Sequence, residues 1–265
     1  MALEMNLRHT GQLGELIRRY PCFSVLKDKA VWEYEADGLR DYLAGNRTSV
    51  PRSDLYRWNV PDTGFFDHRR DVSVLPVMFI GKTGYGKSSL LNRIVGTSVF
   101  PTDDVRSCTK EIDSAFFRLG RSPLYYLALS DLPGIGESEQ ADRRYMEWYA
   151  GLLQCSPSVV YVLRADQRDF ATDERAFQAL FRREEDLDKI VIALNYTDKL
   201  KSVGGPSAPS NARTEVLEEK IAQIERQFSI PSYRIFPCCA HTGCGVNDML
   251  NEIVEDLEMC VFDDD

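Results

Sequence analysis

The chain has 265 residues, 43% hydrophobic and 28% charged, with a formal net charge of −9, an ordinary balance for a soluble globular fold. The acidic surplus disfavours a broad nucleic-acid interface, which needs a concentrated basic face, and no uncharged apolar run is long enough for a membrane span. The N-terminal stretch MALEMNLRHTGQLGELIRRY lacks an apolar core followed by a small-residue cleavage site, so no secretory signal is expected, the location is expected to be cytoplasmic, and the seven cysteines are expected to be reduced thiols.

Residues 1–71 read as an N-terminal helical appendage, with amphipathic segments around Gly11–Tyr20 and Asp28–Leu43. From residue 72 to 265 apolar strands alternate with amphipathic helices, the pattern of an α/β fold with a mostly parallel sheet. VLPVMFI is a strand and SLLNRIV a helix. EIDSAFFRL and LYYLALS are strands joined only by GRSP, a link too short for a parallel crossover, so they must pair antiparallel. ADRRYMEWYAGLLQ is a helix whose Tyr145, Trp148 and Leu152 read as core, although an effector surface there is the competing reading. SVVYVLRA is a strand, and TDERAFQALFRREE reads as one helix ending in the charged run Phe181–Asp186, expected to face solvent. KIVIALN is a strand, KSVGGPSAPSN (Lys201–Asn211) a surface loop, ARTEVLEEKIAQIERQF a helix, YRIFPCCA a strand and VNDMLNEIVEDLEMC a helix.

Between the first strand and helix lies GKTGYGKSS, residues 81–89. Gly81, Gly86, Lys87 and Ser88 fit G-x-x-x-x-G-K-[ST] without a mismatch, in the strand, turn and helix context that the motif requires. Bare backbone at Gly81, Gly84 and Gly86 lets main-chain N–H groups approach a polyphosphate at a helix N-terminus. Lys87 supplies a point charge to the β- and γ-phosphates, and the Ser88 hydroxyl a magnesium ligand. The dinucleotide fingerprint G-x-G-x-x-G is not matched, which disfavours a nicotinamide enzyme. Further on, LYYLALSDLPG ends a strand with Asp131, placed to hold a magnesium-bound water, and puts the Gly134 N–H where it can touch a γ-phosphate. In NYTDK, Asn195 can meet a purine edge, and the Asp198 carboxylate can accept from N1–H and the exocyclic amine of guanine, donors that adenine lacks in that arrangement.

The order of these motifs resembles the translation-factor-class GTPases of the Era, septin and AIG1-like branches, over roughly residues 74–261. GKTGYGKS resembles the first G motif, DLPG the third, NYTD the fourth and CAHTG the fifth; the second, a lone threonine, falls at Thr109 in FPTDDVRSCTKEI, with Thr102 as its rival. The resemblance implies a three-layer P-loop NTPase G domain with a six-stranded sheet in the order 2-3-1-4-5-6. It implies GTP and GDP as ligands with Mg2+, held by Lys82, Thr83, Gly84, Tyr85, Gly86, Lys87, Ser88 and Ser89, by Asn195, Tyr196, Asp198 and Lys199, and by Cys239, Ala240 and His241. Ser88, Thr109 and Asp131 are the implied metal ligands, and Lys87, Thr109 and Gly134 the implied catalytic groups. Residues 97–110 and 131–145 become switches that order around the γ-phosphate.

Two positions, 196 and 239, depart from the family pattern, while Ile135 is what the hydrophobic-substituted Era-like branch carries. Tyr196 stands where the fourth motif usually has lysine, its flat ring able to cover a base as a lysine stem would, and Cys239 stands where the fifth usually has serine, keeping the Ala240 N–H toward the guanine oxygen. Ile135 follows D-x-x-G and cannot orient water as a glutamine does. Slow intrinsic GTP hydrolysis is therefore expected, completed by backbone groups, by an arginine such as Arg106, or in trans. Two partner readings follow: a switch that recruits a protein effector, and a septin- or AIG1-type scaffold that forms a homodimer across the nucleotide. A zinc site at Cys238, Cys239, His241 and Cys244 is disfavoured, since neighbours on a strand point to opposite faces.

Overall fold

The structure, a computed structural model, describes residues 23–25, 57–58, 72–95, 98, 100–102, 109, 113–119, 125–136, 138–153, 156–200 and 212–262. The helices expected around Gly11–Tyr20 and Asp28–Leu43, the Lys201–Asn211 loop and Arg106 lie outside them. Its strands are β1 (Phe23–Val25), β2 (Arg57–Trp58), β3 (Val72–Ile80), β4 (Asp113–Leu119), β5 (Tyr125–Asp131), β6 (Ser158–Arg164), β7 (Ile190–Asn195) and β8 (Ile235–Pro237). Its α-helices are α1 (Lys87–Val95), α2 (Glu139–Leu153), α3 (Ala171–Leu180), α4 (Glu184–Leu187), α5 (Ala212–Phe228) and α6 (Val246–Phe262). No described helix is long and apolar enough to cross a membrane.

The strands run β1-β4-β5-β3-β6-β7-β8 across one sheet, with β2 on β3. Counted from β3, this is the expected order 2-3-1-4-5-6. β4 and β5 pair antiparallel, as their short link demands, while β5, β3, β6, β7 and β8 are mutually parallel. β1 and β2 come from the 1–71 segment and join the sheet antiparallel, β1 along β4 and β2 at Val72 and Ser73. On that side of β3 the next partner, β6, begins only at Val77. Pro76, which has no N–H to offer a neighbour, sits in the gap between them.

Burial explains the sequence texture of the central strands. Val77–Ile80 of β3 and every residue of β7 are buried, because helices cover both faces of a parallel sheet and leave no polar side. On α2, Tyr145, Tyr149 and Leu153 recur at a spacing of one helical turn and are all buried, so Tyr145 is core as expected. The stretch read as one helix from Thr172 is two: α3 ends at Leu180 and α4 starts at Glu184. The charged run is also not uniformly solvated. Asp186 is buried, accepting from Arg183 Nε at 3.1 Å and Nη2 at 2.8 Å, with Lys189 Nζ at 3.7 Å.

An aromatic cluster joins sheet to helices. Phe177 on α3 lies 5.2 Å from Tyr161 on β6, 5.0 Å from Phe228 on α5 and 4.6 Å from Phe181, ring centre to ring centre. Edge-to-face rings at such distances add to plain burial. Phe177→Ala is expected to lower unfolding stability by about 3–5 kcal/mol, read from the urea midpoint at unchanged slope; a loss under about 1 kcal/mol would show that the cluster repacks.

Candidate functional site

Parallel strands bring their carboxyl ends to one edge of the sheet, and that edge is where an α/β fold places its ligands. The loops leaving β3, β5, β6, β7 and β8 meet there. The loop after β3 spans residues 81–86, and α1 opens at Lys87, with the Leu90 N–H on the Gly86 carbonyl at 2.8 Å. The Lys87 side chain is buried and folds back over this loop, its Nζ donating to the carbonyls of Gly81 at 3.2 Å and Lys82 at 3.1 Å. An ammonium is thus held beside the start of a helix, where partial positive charge already gathers.

The glycines owe their identity to protein neighbours as well as to any ligand. A Cβ on Gly81 would stand 2.4 Å from the Val162 carbonyl oxygen of β6, and one on Gly86 2.5 Å from Asn195 Nδ2. Crowding by the protein itself is thus a reason for glycine at both positions that the sequence did not show. The loop's backbone is pressed against β6 and the end of β7.

Beside it, three oxygen-bearing side chains converge. Ser88 Oγ donates to Asp131 Oδ2 at 2.5 Å, Thr109 Oγ1 donates to the same oxygen at 3.1 Å, and the two hydroxyls are 3.5 Å apart. Thr109 is buried and Thr102 exposed, so the contact falls to Thr109 and not to its rival. One carboxylate and two hydroxyls form a hard-oxygen set that suits Mg2+, a cation that keeps several waters and takes phosphate oxygens as its other ligands. Among the described residues, no group of three or more His, Cys, Asp or Glu is arranged to hold a metal. Cys238 and Cys239, weighed as zinc ligands on strand alternation, lie beyond β8, which ends at Pro237.

The DLPG segment docks directly on the loop after β3. Thr83 N–H donates to the Ile135 carbonyl at 3.1 Å, and Ile135 N–H to the Gly81 carbonyl at 3.2 Å. Gly134 comes so close that a Cβ there would lie 2.5 Å from the Thr83 nitrogen and Cα. Tyr149 of α2 caps the segment by donating to the Pro133 carbonyl. Ile135 is buried in this contact.

Asn195 is the hub of the other half. Its Nδ2 donates to the Tyr85 carbonyl at 3.0 Å, while its Oδ1 accepts from Tyr196 N–H at 2.9 Å and from Ala240 N–H at 3.0 Å. In this arrangement Asn195, expected at a purine edge, ties three loops together, and the Ala240 N–H, expected to face a guanine oxygen, donates to the Asn195 amide. Asp198 is exposed at the rim, with Cys239 Sγ donating to its Oδ1 at 3.2 Å. Lys199 Nζ sits 4.6 Å from the Tyr196 ring centre. His241 and Ser89 are exposed, and Arg93 of α1 fixes the last loop by donating to the carbonyls of Ala240, at 2.8 Å, and His241.

Sequence reasoning overlooked Asp173 and Arg164. Asp173, on α3, has no exposed surface and accepts at Oδ2 from Lys82 Nζ at 3.0 Å and Tyr85 OH at 3.1 Å, so it grips two side chains of the loop after β3. Burial pushes its carboxyl above the ordinary value, with Lys82 pulling the other way. Arg164 closes β6 at the ligand edge; the strand pattern marks it as a strand end, and the fold brings it to the loop after β3.

Comparison with known proteins fits this geometry. The family model described as 50S ribosome-binding GTPase matches residues 76–196, ending two positions before Asp198. YfjP of Escherichia coli strain K12 is 32% identical over 166 residues, 62% of this chain and 55% of YfjP, so the chain spans about half that relative's length. Era of Aquifex aeolicus, solved with GDP and AlF4−, is 20% identical with a TM-score of 0.51, covering 69% of this chain and 56% of Era. Toc33 of Arabidopsis thaliana, solved as a dimerization-deficient mutant, is 15% identical with a TM-score of 0.51, covering 71% of this chain and 86% of Toc33. At such identities the two structures speak for the fold alone. The family match, the ordered motifs and the sheet order thus agree: residues 76–196 are similar to the family described as 50S ribosome-binding GTPase, and the α/β fold is that of P-loop GTPase domains.

Proposed function

We propose that the protein binds GTP and GDP with Mg2+, hydrolyses GTP to GDP and phosphate, and works as a nucleotide-dependent switch. The observation that carries this reading is the convergence of Ser88 and Thr109 on one oxygen of Asp131, beside the Lys87 ammonium at the start of α1. Magnesium, when bound, neutralises charge on the β- and γ-phosphates. Lys87 exchanges its two carbonyl acceptors for phosphate oxygens and stabilises the charge that develops there. Asp198 reads the base, and the cradle of residues 82–89 positions the phosphates.

The switch lies in the two main-chain bonds between Ile135 and the loop after β3. Gly134 and Thr83 are packed too tightly to admit a phosphate between them, so a γ-phosphate must part them, whereas a diphosphate leaves the contact in place. Such an order change transmits ligand state to a partner surface on 131–145. Ile135 offers no group to polarise water, and turnover is expected to be slow until a second copy or an effector completes the site. A rate per molecule that rises with protein concentration, together with larger particles in light scattering with a non-hydrolysable GTP analogue than with GDP, supports completion by a second copy. A fast, concentration-independent rate would falsify the need for any completing partner.

Base reading has its own test. Asp198→Asn is expected to lower the preference for GDP over ADP by roughly 10- to 100-fold, the worth of a charge-assisted bond pair, measured by calorimetry with both nucleotides; an unchanged ratio removes Asp198 from base recognition.

Asp173 provides a test of how the cradle is supported. Because its folded carboxyl titrates above the ordinary value, the native state holds a proton that the unfolded chain has released. Its contribution is therefore present below the ordinary carboxylate value and is lost as pH rises through the elevated one. The stability difference between the parent and Asp173→Asn should favour the parent most in acid and shrink toward neutrality in thermal melts. A difference that grows with pH would mean that the Lys82 ion pair outweighs burial.

A further inference from the structure

Position 196 poses a problem that the site geometry answers. Tyr196 adopts a left-handed backbone, φ 63° and ψ 32°, which is costly for a bulky residue and persists only where its surroundings enforce it. Asn195 Oδ1 holds the Tyr196 N–H in that conformation. The result is that the ring turns back over the loop after β3: a Cβ on Gly86 would lie 3.3 Å from both Tyr196 Cε2 and its hydroxyl oxygen. The ring is therefore packed on bare main chain of the cradle, and glycine at 86 makes room for it.

A cation completes the arrangement from a strand the motif pattern does not include. The Arg164 guanidinium, at the end of β6, lies 4.3 Å from the Tyr196 ring centre. It is aimed by Asp166, which accepts from Nε at 2.9 Å and from Nη2 at 2.7 Å. The remaining Nη1 reaches the Gly84 carbonyl at a long 3.4 Å. A planar guanidinium can stack on a ring and direct its N–H groups sideways at the same time, which an ammonium cannot do.

We infer that Arg164 and Tyr196 jointly perform the task of a lysine at position 196: the ring supplies the flat surface and the guanidinium the cation that fastens the loop after β3 beneath the base. Arg164 is thus a positioning residue for guanine-nucleotide binding, acting through Tyr196 and Gly84. The inference rests on the proposed guanine-nucleotide reading, and the pairing of an arginine from β6 with an aromatic residue after β7 extends it.

Calorimetric GDP affinity across a small variant set tests the idea. Arg164→Ala and Tyr196→Ala are each expected to weaken GDP binding about tenfold, in keeping with one partly desolvated cation–π contact, while Arg164→Lys keeps part of the affinity. In the Tyr196→Lys background the new side chain carries the cation itself, so adding Arg164→Ala should change affinity less than about twofold. A merely structural arginine would cost the same in both backgrounds, and that result overturns the inference. Should Tyr196→Lys fail to fold, as judged by its melting transition, Tyr196→Ala takes its place as the background: with the ring gone, adding Arg164→Ala should change affinity less than about twofold, and a full loss of about tenfold overturns the inference. If the parent binds GDP but Arg164→Ala binds equally well, this inference alone falls. If the parent ignores GDP, the proposed function falls with it.

Discussion

A single carboxamide holds the candidate site together. Asn195 leaves the end of β7 with its side chain buried, and its two polar atoms bond the loop after β3, its own following residue and the loop after β8. Strands β3 and β8 are not neighbours, since β6 and β7 stand between them, so no sheet hydrogen bond can set the distance between their loops. A buried amide with both ends satisfied can set it, and in a low-dielectric setting losing any of those bonds leaves a costly unpaired group. The phosphate-side cradle and the base-side loops are in this sense one object.

The other edge of the cradle is held by main chain. Ile135 bonds both Thr83 and Gly81, and those bonds are open to competition from a ligand in a way that the Asn195 contacts, made by a side chain with no exposed path, are not. The site therefore has a fixed wall on the β7 side and a releasable one on the β5 side. This asymmetry supports the proposed reading of a phosphate-sensing switch, in which one half would define where the ligand sits and the other would report which ligand it is. Asp173 and Arg164 brace the β7 side from α3 and β6, each through a hydrogen bond to a residue of the 82–86 loop.

Much of this was legible in the residues. The strand-helix alternation implied a mostly parallel sheet because strands buried on both faces must be apolar throughout, the family resemblance supplied the strand order, and the GRSP link forced the one antiparallel pair within that set. Ser88 and Asp131 were found through motif spacing and context and Thr109 through the family resemblance, and the structure brings both hydroxyls onto one oxygen of Asp131. What stayed hidden depended on three-dimensional packing. The charged run Phe181–Asp186 reads as solvated, yet Asp186 is buried, paired with an exposed Arg183 and a largely buried Lys189. The glycines at 81 and 86 read as ligand-driven, yet each is crowded by a neighbouring strand or loop. Asn195 reads as a ligand contact, and its bonds to three loops were not visible because sequence shows its type and not its partners. Arg164 and Asp173 lie outside any motif, and only the fold puts them within reach of residues 82–86.

The linkage of the two halves through Asn195 is tested most directly by amide hydrogen exchange with and without GDP. One rigid site predicts that ligand slows exchange together in segments 81–88, 195–199 and 239–241, and that Asn195→Ala confines the slowing to 81–88 while the core strands stay protected. Slowing restricted to 81–88 in the parent, or an unchanged pattern in Asn195→Ala, would contradict it.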